Sequence, residues 1–115
     1  MKIKIERVYG SIPHSGDYRV LVDRLWPRGL SHEQLAINEW LKEIAPSTTL
    51  RQWFGHDPKL WEEFRQKYLV ELASHQNELH RLHTIANKQP LVLLYGAKDT
   101  THNQAVVIKE ALLSL

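Results

Sequence analysis

Apolar residues fall along this chain in two rhythms, one of about two residues and one of three to four. Ile3, Ile5 and Val8 alternate with charged residues and lead into Tyr9-Gly10, which reads as a first strand. Arg19-Val20-Leu21-Val22-Asp23 is apolar on both faces and predicts a second, buried strand. It is expected to stop sharply at Trp26-Pro27, because a residue before proline avoids the helical region and proline cannot donate to a ladder. Leu91-Val92-Leu93-Leu94-Tyr95 is a third buried strand. Ala36 to Trp40 fits either a helix or a short strand.

Helix starts are marked by capping chemistry. Ser31 with Gln34 three residues on is a capping box for a short helix. Pro46-Ser47 caps a helix running through Phe54, and Asp57-Pro58 places a cap before a proline at the first helical position. From there Trp61, Phe64, Tyr68, Leu72, Leu79, Leu82 and Ala86 form one apolar stripe. An unbroken helix from Pro58 to Asn87 would span ~45 Å, against roughly 34 Å for the diameter of a domain this size. The helix must bend, with Ser74 the natural place, or overhang. A last helix is expected from Thr101, capped with Gln104, burying Ala105, Ile108 and Leu112.

These elements predict one α/β domain over residues 1–115, with a small, mainly parallel sheet of three or four strands flanked by helices, one of them long. The long helical crossover between the second and third strands implies a parallel pair. The link between the first two strands is too short for a helix, so their relation is open.

Composition narrows the function classes. The chain has 115 residues, of which 43% are hydrophobic, and contains no cysteine, which excludes disulfides and thiolate metal sites and suggests a reducing, cytoplasmic setting. No apolar run reaches the ~20 residues needed to cross a bilayer, and the charged, Ile-alternating start is unlike a signal peptide. The net charge of +2 does not announce a nucleic-acid partner, although the first quarter of the chain is locally basic.

Polar residues collect after two strands. Asp23, Arg24 and Arg28 follow the second; Tyr95 ends the third, and Lys98, Asp99, His102 and Asn103 follow it. Parallel strands would bring both sets to the carboxyl edge, where ligands bind in open α/β sheets. The helix starts at Ser31 and Thr101 would add N–H groups and partial positive charge there. The plainer readings are an Asp23–arginine ion pair locking a turn, Trp26 as a core anchor, and Lys98-Asp99 as an exposed loop pair. His80 and His83 lie one turn apart and His75 falls on the apolar stripe, but no converging third ligand is supplied, so no metal and no cofactor are expected. His56 reads as part of the loop around a cap, and no phosphate-binding glycine loop or nucleophile elbow is present.

The string Val20-Leu21-Val22-Asp23-Arg24-Leu25-Trp26-Pro27-Arg28-Gly29 resembles the signature of the YeaO-like proteins, a bacterial branch of a domain family of unknown function. The resemblance extends through Arg7-Val8-Tyr9, Trp40, Leu50-Arg51, Phe64-Arg65, Leu93-Leu94-Tyr95 and Asn103. It implies an α/β fold whose first two strands are parallel. Ser31-His32 stands where relatives carry lysine, which weakens the basic contribution expected after the turn.

Three functions compete. In the first, Arg24, Arg28 and Lys98 hold a small anion such as a nucleotide or sugar phosphate, Tyr95 and Asn103 orient it, and Asp23 or Asp99 is a general base. In the second, Lys2, Lys4, Arg7, Arg19, Arg24 and Arg28 contact nucleic-acid phosphates while Trp26 stacks on a base. In the third, the chain is a protein-interaction module whose long helix packs its overhanging portion against another copy, with Leu69 and Ile85 flanking the main stripe.

Overall fold

A computed structural model describes residues 1–115. Four strands, β1 (Ile3–Arg7), β2 (Tyr18–Leu21), β3 (Glu39–Trp40) and β4 (Leu91–Tyr95), form one sheet in the order β1-β4-β2-β3. Every pairing is parallel, with Leu93 opposite both Ile5 and Val20. The first two strands are therefore parallel but not neighbours, since β4 enters between them. The ambiguous Ala36–Trp40 stretch supplies the two-residue edge strand β3.

The period of two sorts the central strands between two cores. Val20, Val22, Leu91, Leu93 and Tyr95 enter the larger core, while Leu21, Val92 and Leu94 enter a smaller one on the opposite face. Strands covered on both faces need continuous apolar runs, which is what β2 and β4 carry. The larger core is closed by α2 (Thr48–Phe54), α3 (Trp61–Leu72), α4 (Gln76–Ala86) and α5 (Gln104–Leu113). Over the smaller one lie α1 (His32–Leu35) and Trp26, Leu30, Ile37 and Trp40. Trp26 is an anchor of that layer: it stacks on His32, meets Trp40 edge-on and donates its indole N–H to the Leu30 carbonyl at 2.7 Å.

Several helix boundaries follow the capping signals. The Ser31–Gln34 box closes in both directions, Ser47 accepts from the Leu50 N–H, and Asp57 accepts from the Lys59 N–H. Of the two ways to accommodate its length, a bend or an overhang, the long helical stretch takes the bend. Residues 73–75 form a tighter turn between α3 and α4, and the Ser74 hydroxyl donates to the Glu71 carbonyl at 2.7 Å. A hydroxyl competing for a helix carbonyl is one of the known causes of a bend. The longest dimension of the molecule is 37 Å.

The structure also revises four expectations. β2 ends before Pro27 can act: Val22 still donates to Leu94, after which the chain leaves the ladder at Asp23. The cap of α5 is Asn103, whose side chain accepts from Val106, because Thr101 is drawn into a turn around Asp99. Leu69 and Ile85 pack against the larger core and so do not present an apolar face; Val70 is the exposed one on that stretch. Arg19 is buried and engaged within the fold, donating to the Ala36 and Leu35 carbonyls and the Ser11 hydroxyl. Those carbonyls close α1, and a buried guanidinium satisfies them where water cannot. No helix is long and apolar enough to cross a membrane.

Candidate functional site

The chain leaving β2 crosses to the face of the smaller core, whereas α5, following β4, packs on the opposite face. Adjacent parallel strands whose connections diverge leave a crevice at their carboxyl ends. A cavity of about 400 Å³ lies at these ends, within the size range of small-molecule sites. Asp23, Arg24 and Leu25 come to it from the end of β2, Ala97 from the end of β4, and His102, Asn103 and Gln104 from the start of α5. The 45–56 segment adds Pro46, Arg51, Gln52, Phe54 and His56, and α3 contributes Phe64.

Asp23 sits at the junction. Its Oδ2 accepts the Gly96 N–H at 2.8 Å, and its Oδ1 accepts from the Gln104 amide. Burial pushes its pKa from the ordinary 3.8 to about 6, against the lowering effect of these two donors and of the nearby positive charge of His56 and Arg51. It forms no ion pair with Arg24 or Arg28. The approach is close: a Cβ on Gly96 would lie 2.9 Å from Asp23 Oδ2, so the carboxylate would have to shift. The backbone carbonyl of Asp23 accepts the Trp40 indole N–H at 2.8 Å, which ties the strand end to β3.

Arg24 turns toward the loop before α2 and donates to the carbonyls of Pro46 and Ala45 at 3.2 and 3.4 Å. Its Nε is buried without a partner. Arg51 and His56 are exposed on the other side of the opening. His56 holds a left-handed φ of 58°, a conformation that costs a non-glycine residue on the order of 1 kcal/mol. His102 sets its ring edge-on to Trp61 at 5.2 Å and its Nδ1 lies 2.9 Å from Asp99 Oδ2.

Of the seven site residues expected from sequence, Asp23, Arg24 and Asn103 line this cavity, and Arg28, Tyr95, Lys98 and Asp99 do not. Asn103 is committed at both ends of its amide, to the Val106 N–H and the Asp99 carbonyl. Tyr95 is buried in the larger core. Arg28 and Lys98 are exposed, with the Arg28 carbonyl accepting the Tyr9 hydroxyl. Asp99 organises a turn, accepting from the N–H groups of Thr101 and His102 and from the Thr101 hydroxyl, and lying against His102 Nδ1. The Thr101 N–H and His102 hold its carboxyl well below the usual aspartate range. The helix start at Ser31 belongs to a four-residue helix against the opposite face of the sheet, so it contributes no N–H groups here.

Sequence reasoning missed Arg51, His56, Gly96 and the side-chain role of Gln104. Arg51 and His56 sit far from either strand end in sequence, and only the packing of α2 brings them in. Gln104 reads in sequence as half of a cap. Gly96, directly after an all-buried strand, was the one local signal that the backbone there approaches something closely.

The family model of the inactive DUF488-N3 subclade matches residues 2–115. The chain is 52% identical to the uncharacterized protein YeaO of Escherichia coli (strain K12), over 115 residues and the full length of both chains. It is 30% identical to uncharacterized proteins of Mycobacterium bovis and Mycobacterium tuberculosis over 111 residues, covering 96% of this chain and 93% of each relative. No solved structure matches. With a crossover-built parallel sheet, the Asp23–Gly29 string and full-length relatives of this kind, the chain belongs to the YeaO-like proteins of the inactive DUF488-N3 subclade.

Proposed function

We propose that this chain is a cytoplasmic binding domain that holds a small anionic molecule, such as a nucleotide or sugar phosphate, in the cavity at the carboxyl edge of its sheet. One observation carries the reading. Arg24, Arg51, His56 and His102 line a single cavity in which Asp23 is the sole carboxylate. An excess of cationic and imidazole groups over carboxylates around a partly enclosed volume favours an anion, and the low-dielectric wall strengthens that preference. Binding without turnover suits a subclade described as inactive, so Asp23 serves here as a hydrogen-bond acceptor for the ligand and not as a general base.

Thermal-shift and calorimetric titration with phosphorylated small molecules test the proposal. At least one of them raises the melting temperature of the wild type, and Arg51→Ala, a change at an exposed position, removes most of that shift. Stabilisation of wild type and variant to the same extent, or of neither, overturns it.

A further inference from the structure

The two ends of the cavity differ in chemistry, and that difference narrows the ligand. Its inner wall is made by the buried Phe54, Phe64 and Pro46 together with Asp23; its mouth is made by the exposed Arg51 and His56. Most donors at the inner end are already engaged, the buried Arg24 Nε being the exception. Asn103 gives its N–H to the Asp99 carbonyl, Arg24 gives Nη2 to the 45–46 carbonyls, and the Gln104 amide gives to Asp23. Acceptor capacity there is still open. An ionised carboxylate has about four acceptor positions, and Asp23 uses one on each oxygen, for Gly96 and for Gln104.

We infer, building on the anion-binding reading above, that the ligand is a flat nitrogen heterocycle joined to an anionic group, with an N–H edge of the ring on Asp23 and the anion at Arg51 and His56. The ring lies along the apolar wall of Pro46 and of Phe54 and Phe64, which stack on each other at 4.3 Å, where a bare sugar would bury hydroxyls without partners. An N–H edge is what an unfilled carboxylate position accepts, and such charge-assisted bonds are among the stronger ones. A nucleoside monophosphate has this construction; inorganic phosphate and ribose 5-phosphate have only its outer half.

Isothermal titration of the full chain at neutral pH with matched probes tests this. The probes are the nucleoside 5′-monophosphates of the common bases, ribose 5-phosphate, and phenyl phosphate, which has a ring and an anion but no N–H. At least one nucleotide binds about tenfold or more tighter than both other compounds, and Asp23→Asn, which replaces one acceptor oxygen by a donor, removes that preference while weak phosphate binding persists. Ribose 5-phosphate binding as tightly as every nucleotide overturns the heterocycle and leaves the anion site standing. Phenyl phosphate matching the nucleotides overturns the role of Asp23, a result obtained on the wild type and so independent of whether the variant folds. Binding of no probe overturns this inference and the anion site together.

Discussion

Asp23 and Asp99 both follow strands that end at the same edge of the sheet, β2 and β4, and their carboxyl groups are driven in opposite directions. Asp99 is half-exposed and collects hydrogen bonds from Thr101 and His102, so its charge is welcome. Asp23 collects two donors inside the crevice, and desolvation outweighs them. A carboxylate at a strand end becomes a turn-former or a desolvated, cavity-lining acid according to how much water remains around it and how many donors replace that water. The sequence Asp99-Thr100-Thr101-His102 lets the chain turn back on its own aspartate, whereas Asp23 must reach a neighbouring strand end for its partners.

The sharpest way to break the contrast is Gly96→Ala. The added Cβ displaces the Asp23 carboxylate, costing a buried charge-assisted hydrogen bond and local strain, together about 3–5 kcal/mol of stability by urea denaturation. In an Asp23→Ala background the same glycine change costs less than about 1 kcal/mol. Equal costs in both backgrounds would remove Asp23 as the reason for the glycine.

The next effect is on pH dependence. A carboxyl whose pKa rises from 3.8 to about 6 on folding binds its proton more tightly in the native state. Its stabilising contribution is present below about pH 4 and is lost as pH rises through 6, a decline on the order of 3 kcal/mol. Asp99, held low, acts with the opposite sign: its contribution is present above the ordinary aspartate pKa and is lost as pH falls below it. Denaturation curves between pH 4 and 7 therefore show falling stability in the wild type and a nearly flat profile in Asp23→Asn, while Asp99→Asn keeps the wild-type decline. A flat wild-type profile in this window would falsify the assignment of Asp23.

The smallest effect comes from Asn103→Ala, which removes the α5 cap and the bond to the Asp99 carbonyl. It costs about 1–2 kcal/mol and leaves the decline between pH 4 and 7 in place, because Asp23 keeps both of its donors. A loss of that decline in the variant would mean that the two carboxylates are coupled through the cap.

Much of the fold was legible because its signals are local. The apolar runs of β2 and β4 required cover on both faces, Ser31, Ser47 and Asp57 announced their helices through capping groups within three residues, and the excess length of the 58–87 stretch called for a bend near Ser74 or an overhang. The insertion of β4 between β1 and β2 was not legible, since parallel pairing depends on crossovers across the whole chain. At the site, Asp23, Arg24 and Asn103 were accessible to reasoning from strand ends. Arg28 and Lys98 share that sequence proximity yet are exposed outside the cavity. For Arg28 the cause is the turn after Leu25, which carries Trp26 and Leu30 to the other face of the sheet.

The sequence by itself therefore determined the two core-facing rhythms, the capped starts of the helices after Ser31, Ser47 and Asp57, the family and the edge of the sheet at which polar groups gather. Only the tertiary structure decided which of those groups share one volume, bringing in Arg51 and His56 from α2 and its end and turning Asp99 back on its own loop. The physical reason is range. Capping and periodicity act over a few residues, whereas the pKa of Asp23 and the lining of the cavity depend on desolvation by segments distant in sequence, which exists only once β2, β4, α2 and α5 have packed.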